Sequence, residues 1–236
     1  MTRFRNRIFY GWVVVFVLLG MFAFAGGSRF TFGVVLKSLT EEFGWERGAL
    51  SAVVALSLLL VSLFQIGVGW LTEQVGPRAL LIAGFVLSAF VLMSMSFVTE
   101  LWQVYLLYGV LGALGFALAS PVSSTVMVNR WFSQRSRGTA LSIAMSGVAV
   151  GQLVITPISM ALLLQGGWQS SYRALAGFMF LIALPLVVLF LRDAPKDTPA
   201  PNAPSQKSSA VSSEKTSLRQ AMRSATFWQL LMGVFS

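Results

Sequence analysis

Six separate stretches of this chain are apolar for about twenty residues or more, at roughly 10–36, 49–71, 79–98, 101–128, 138–164 and 172–191. A run of ~20 apolar residues, rising 1.5 Å per residue as a helix, spans the ~30 Å hydrocarbon core of a bilayer. Inside lipid every backbone N–H and C=O needs a partner within the protein, which leaves helices or a closed barrel. These runs are continuous rather than alternating, so helices are expected. The expected fold is an all-α membrane protein with a six-helix transmembrane bundle. A seventh apolar segment begins near Thr226 (TFWQLLMGVFS), and its eleven residues reach only ~16 Å, half a hydrocarbon core. The printed sequence is therefore expected to stop inside a seventh helix. Three regions follow: 1–191 as a six-helix domain, 192–225 as a linker, and 226–236 as the start of the next helix.

Composition removes several function classes. Only 11% of residues are charged, against about a quarter in soluble domains, so a water-soluble globular enzyme is excluded. With no cysteine and no histidine there is no disulfide, no thiolate or imidazole metal ligand and no Cys nucleophile. The spans contain no nucleophile–base pair and no carboxylate dyad. Neither an enzyme nor a cofactor site is expected. The net charge of +9 would suggest nucleic acid in a soluble protein. Here it reads as topology. With the N-terminus in the cytoplasm, thirteen Lys and Arg and four acids fall on the inner side, four and four on the outer. The whole excess sits on one face, as the positive-inside rule requires. Trp12, Trp45, Trp70, Trp102, Trp131, Trp168 and Trp228 fall at or near expected span ends, where amphipathic rings favour the interface. Arg3, Arg5 and Arg7 followed by an apolar run and Ala23-Phe24-Ala25 also fit a cleavable signal, but the run continues through Phe30, Phe32, Val34 and Val35.

An internal repeat organises the spans. Arg78-Ala79-Leu80 opens the third and Arg173-Ala174-Leu175 the sixth, an offset of 95, and the same offset takes Tyr10 to Tyr105. Two copies of three spans each are necessarily inverted relative to one another; chance similarity of interfacial patterns is the alternative. After Leu191 the composition changes to Pro195, Pro199, Pro201, Pro204 and many serines, a linker composition. Thr216-Ser217 suits the cap of a short surface helix (LRQAMRS), or this stretch is more linker.

Six spans in inverted triplets before a basic linker resemble the N-terminal half of a major facilitator superfamily transporter, a twelve-helix carrier. Gly69-Trp-Leu-Thr-Glu73-Gln-Val-Gly76-Pro-Arg78 resembles that superfamily's G-x-x-x-D-R-x-G-R-R signature, with Glu73, Gln74 and Pro77 as departures. Tyr10-Gly11-Trp12, Phe43-Gly44-Trp45, Asn129-Arg-Trp-Phe132 and Arg137-Gly138-Thr-Ala140 are similar to the monocarboxylate transporter and oxalate/formate antiporter branch, in its bacterial form. The resemblance implies alternating access, a gating role for the loop of Gly69, Glu73, Gly76 and Arg78, and a cationic residue in span one that helps hold a carboxylate. Relatives of that branch carry a Tyr two residues before Pro121; here it is Ala119, so that contact does not carry over.

Arg29 is the residue that points to chemistry. It lies ~9 Å outward of the middle of span one, among Gly26, Gly27, Phe30, Phe32 and Gly33. A charge at that depth costs several kcal/mol unless it faces water, a partner or a ligand. None of the six spans contains an Asp or Glu to pair with it. A guanidinium on an aqueous cavity can bind a carboxylate bidentately; the alternative is snorkelling to the outer headgroups. Phe22 and Phe32 share its helical face. Tyr108 on span four and Gln152 on span five complete the candidate wall, with ordinary packing as their alternative role. Gly147-x-x-x-Gly151, Gly109, Gly112 and Gly115 read as close-packing positions. Pro121 and Pro157 are expected to kink spans four and five. With no membrane-embedded acid, this segment supplies no proton relay, which leaves exchange, facilitated diffusion, or a relay in a second half.

The expected function is transport of a small organic anion across a plasma membrane, that of a bacterial inner membrane, with the bilayer and a C-terminal half as partners and no nucleic acid. The alternatives are a drug or neutral-solute carrier of the same superfamily, or a self-contained six-helix channel or scaffold.

Overall fold

A computed structural model describes residues 2–132 and 134–191. The expected linker, surface helix and seventh span lie outside the described residues. Those described are almost wholly helical and include no strand. Helix α1 runs Thr2–Phe43, α2 Arg47–Val75 and α3 Pro77–Met95. The next span is assembled from α4 (Leu101–Val104), a π-helical stretch Tyr105–Gly112, α5 (Ala113–Leu118) and α6 (Pro121–Trp131). Helix α7 (Gln134–Phe178) continues through a second π-helical turn, Met179–Ala183, into α8 (Leu184–Phe190).

Five of these stretches are long and apolar enough to cross a bilayer: Tyr10–Phe43, Arg47–Val75, Pro77–Met95, Leu101–Trp131 and Ser136–Phe190. The count differs from the six expected at one place. Ser136–Phe190 has 55 residues, ~80 Å of helix, more than twice a hydrocarbon core. It is not straight: Gly166 (φ −139°, ψ 16°) and Gly167 (φ 78°, ψ 175°) leave the helical region. The positive φ at Gly167 is one that side chains disfavour, which is why a glycine pair marks this break.

The remaining turns follow from sequence in the same way. Gly76 adopts φ 94° between α2 and α3, donates its N–H to the Thr72 carbonyl at 3.2 Å, and hands over to Pro77 at the first position of α3. Before α4, the Gln103 side-chain oxygen accepts from the Thr99 and Glu100 amides at 2.9 and 3.3 Å. Pro121 does more than kink its span. Ala119 and Ser120 are non-helical, so the span is interrupted and Pro121 begins a new helix. Pro157, by contrast, sits inside α7 with no non-helical residue beside it.

The bundle is held together most closely where α1 meets α7. Gly147 lies against the backbone of Leu19, and Gly151 against that of Ala23, with no room for a methyl group on either. Gly27 answers from α1, where a Cβ would stand 2.7 Å from the Gly151 carbonyl oxygen. Small residues at this spacing permit van der Waals contact that Leu or Val would prevent. Hydroxyls add polar contacts: Thr31 and Ser159 share a bond of 2.9 Å, and Ser171 donates to the Ser159 carbonyl at 2.8 Å. On the other side Gly115 and Gly84 bring α5 against α3. At the end of α1 the buried Trp168 indole donates to the Glu42 carboxylate at 2.5 Å and meets Phe43 edge-on.

Candidate binding cavity

A cavity of about 500 Å³ opens between α1, α2, the interrupted span and α7. That is within the range that holds a small organic ligand. Its α1 wall carries Phe22, Arg29, Phe30 and Phe32; α2 contributes Val54, Leu58, Val61 and Gln65; the interrupted span gives Tyr108, Phe116, Ala119, Ser120 and Pro121; Val148 comes from α7. The walls are mainly apolar, and no Asp or Glu is among the lining residues.

Two contacts hold Arg29 here, and a ring stack braces the first of them. The Tyr108 hydroxyl donates to the Arg29 backbone carbonyl at 3.2 Å, tying span four to α1. The Phe32 ring stacks on Tyr108 with centroids 4.3 Å apart. The guanidinium carbon lies 5.0 Å from the centre of the Phe116 ring, a cation–π arrangement. Its Nη2 is shielded from solvent yet has no hydrogen-bond partner. The side chain is therefore part of the cavity wall, stacked on Phe116 and unsatisfied at one nitrogen.

Of the residues expected at the site, Arg29, Phe22, Phe32 and Tyr108 all line this cavity. Gln152 does not; it is exposed on α7, outside the lining set. Sequence reasoning passed over Gln65, Phe116 and Ser120. Gln65 had a readable signal, an amide in the middle of an apolar run (LLLVSLFQIGVGW). Phe116 and Ser120 had none, because their placement depends on the π-helical stretch and the break that follows it.

The loop expected to act in gating is a separate structure. Gly69 lies within α2, with open space where a Cβ would stand, and Glu73 is exposed on its last turn. Gly76 makes the turn. Arg78 on α3 reaches across to α8 and donates from Nη2 to the Val188 carbonyl at 3.0 Å, while its Nε is buried without a partner. A cation on the last carbonyls of a helix is a favourable cap. The sole ion pair among the described residues is Lys37 with Glu41 at 3.7 Å, so Glu73 takes part in none there.

Comparison with known proteins agrees with this architecture. A family model described as Major Facilitator Superfamily matches residues 9–236. The "Uncharacterized MFS-type transporter YcxA" of Bacillus subtilis (strain 168) is 28% identical over 183 residues, 76% of this chain and 45% of that protein. Monocarboxylate transporter 4 of Gallus gallus is 26% identical over 200 residues, 84% of this chain and 41% of its own. Monocarboxylate transporter 12 of Homo sapiens is 33% identical over 141 residues, 59% and 26% respectively. The chain thus spans less than half the length of these curated relatives.

Proposed function

Because the chain belongs to the Major Facilitator Superfamily and is a multi-pass membrane protein, we propose that it forms the first half of a carrier for small organic anions. The observation that carries this reading is Arg29: a cation at membrane depth, stacked on Phe116, with an unsatisfied Nη2 in a cavity that holds no carboxylate. A buried charge in lipid costs about 2.5–3.5 kcal/mol at the helix centre, and a carboxylate ligand is the group that offsets it. Similarity to proteins named monocarboxylate transporters supports the same ligand class.

In this reading the break at Gly166-Gly167 turns the chain back across the bilayer, giving six spans in two inverted triplets with the N-terminus in the cytoplasm. The binding cavity closes against a second half of comparable length, and alternating access follows from rocking of the halves about the ligand. Phe22, Phe32 and Tyr108 shape the apolar wall around the anion. Gln152 is left for the face toward the second half, and Gly69, Glu73, Gly76 and Arg78 for the cytoplasmic gate.

The test is transport by the full-length protein reconstituted in liposomes, with labelled lactate, formate and oxalate as probes. Hydrogen bonds to a charged partner contribute about 1.5–3 kcal/mol each, so losing a bidentate pair in Arg29→Ala lowers apparent affinity ~100-fold or more. Arg29→Lys, which keeps charge but not the planar fork, is intermediate. Normal uptake by Arg29→Ala overturns the role of Arg29. Transport indifferent to all carboxylate competitors points instead to a neutral-solute or drug carrier, which the aromatic walls would also suit.

A further inference from the structure

The cavity has a second unsatisfied group, and it stands at the start of a helix. Ala119 (φ −84°, ψ 31°) and Ser120 (φ −85°, ψ 167°) interrupt the fourth span, and α6 begins at Pro121 and runs eleven residues. Serine is a favoured residue at this position because its hydroxyl ordinarily accepts a bond from an amide of the first turn. Ser120 makes no such bond. Its Oγ is shielded from solvent and has no partner, and the residue is only 2% exposed. Yet it forms part of the cavity wall that Arg29 also lines. The first turn of α6 is consequently left without a side-chain cap, inside a membrane where unsatisfied amides and hydroxyls are costly.

These features share one sign. An uncapped helix N-terminus, a hydroxyl free to donate and the guanidinium of Arg29 all favour an oxygen acceptor. Both side chains belong to the lining of one cavity, and Phe116, whose ring centre lies 5.0 Å from the guanidinium carbon, precedes Ser120 by four residues on the interrupted span. Between them the wall offers apolar surface.

We propose that Ser120 Oγ and the first-turn amides of α6 form a second acceptor-binding pole of the cavity, taking an oxygen at the far end of an anion whose carboxylate lies on Arg29. The site would then select short organic anions that carry an oxygen at both ends over alkyl carboxylates of the same length. Ser120 is a specificity-determining residue in this arrangement, and the inference rests on the anion-carrier reading above.

The experiment is ligand binding to the purified full-length protein, by calorimetry, with propionate and malonate as a three-carbon pair. Wild type binds malonate more tightly. Ser120→Ala, which breaks no hydrogen bond within the protein, lowers malonate affinity roughly 3- to 10-fold and leaves propionate within about twofold. Ser120→Thr, which keeps the hydroxyl, retains the preference. Arg29→Ala weakens both ligands. Unchanged binding of both anions by Ser120→Ala, or an equal loss for both, overturns the second pole while leaving the carboxylate site standing. Failure of wild type to bind either anion overturns the anion-carrier reading itself, and this inference with it.

Discussion

Replacing Gly151 by alanine tests the contact on which the bundle most depends. Its Cβ would fall inside the backbone of Ala23, meeting Cα, C and O together, and facing it is Gly27 rather than a flexible side chain. A clash with a long side chain is relieved by a rotamer change; one with backbone requires α1 and α7 to separate along their length. Overpacking of this kind costs typically ~1–3 kcal/mol, and the absence of a yielding neighbour puts Gly151→Ala toward the upper end. Gly177→Ala, beyond the Gly166-Gly167 break, is the control, because a Cβ there meets nothing within 4 Å. Relieving a helical glycine in open space should stabilise by up to ~1 kcal/mol. The two changes are chemically identical, so the difference of ~2–4 kcal/mol between them isolates the helix contact. Thermal unfolding of detergent-purified protein reads it: at roughly 2–4 °C per kcal/mol for a chain of this size, the two midpoints should separate by about 5–15 °C. Equal midpoints would refute the close approach of α1 and α7 and the packing role of the Gly147-x-x-x-Gly151 pair.

Two further substitutions probe the polar contacts of the same seam. Thr31→Val removes the hydroxyl bonded to Ser159 at 2.9 Å and conserves shape; membrane hydrogen bonds of this kind average ~0.6 kcal/mol, so the midpoint should fall by only a few degrees, and a loss above ~2 kcal/mol would show that the hydroxyl does more than bridge two helices. Trp168→Phe keeps the buried ring but leaves the Glu42 carboxylate without its indole donor; hydrogen–deuterium exchange should rise at 166–169 and at the end of α1 while staying unchanged around Arg29, and no change at either place would remove the tie between them.

Much of the fold was readable because lipid imposes simple rules. Apolar runs of the right length gave the spans, Gly76-Pro77 gave the α2–α3 turn, and Gly147 and Gly151 gave the close contact, each from local chemistry alone. Arg29 was equally plain, since a charge in an apolar run needs a reason. The irregular fourth span was not legible. Tyr105–Gly112 reads YLLYGVLG, which holds no residue that demands π-helical geometry, and Pro121 announces an interruption without saying that Ala119 and Ser120 leave the helix. Such distortions follow from packing against neighbours; here Gly84 and Gly115 bring α5 so near α3 that its backbone is fixed by contact rather than by propensity. Gln152 marks what periodicity leaves open: it lies on α7 outside the lining of this cavity, because helical spacing fixes which residues share a face, not which way that face points.

Two of the buried groups without partners, Arg29 Nη2 and Ser120 Oγ, belong to residues that line the cavity. Along the α1–α7 seam Thr31 is answered by Ser159 and Ser171 by the Ser159 carbonyl, and Gly147 and Gly151 leave no slack, while Thr156 Oγ1 and the Tyr172 hydroxyl on α7 are buried without partners away from the cavity lining. The fourth span carries a π-helical stretch, a break and the unpartnered Ser120 hydroxyl, and it shares the cavity with an Arg29 that is itself incompletely bonded. A ligand can alter an equilibrium only through interactions it makes better in one state than another. Those interactions are available where groups lack partners, at Arg29 and Ser120, and the backbone able to respond is the interrupted span between Phe116 and Pro121. In the proposed carrier the α1–α7 contact would serve as the fixed wall, and the segment of span four already broken at Ala119 and Ser120 would be the one to close on the anion.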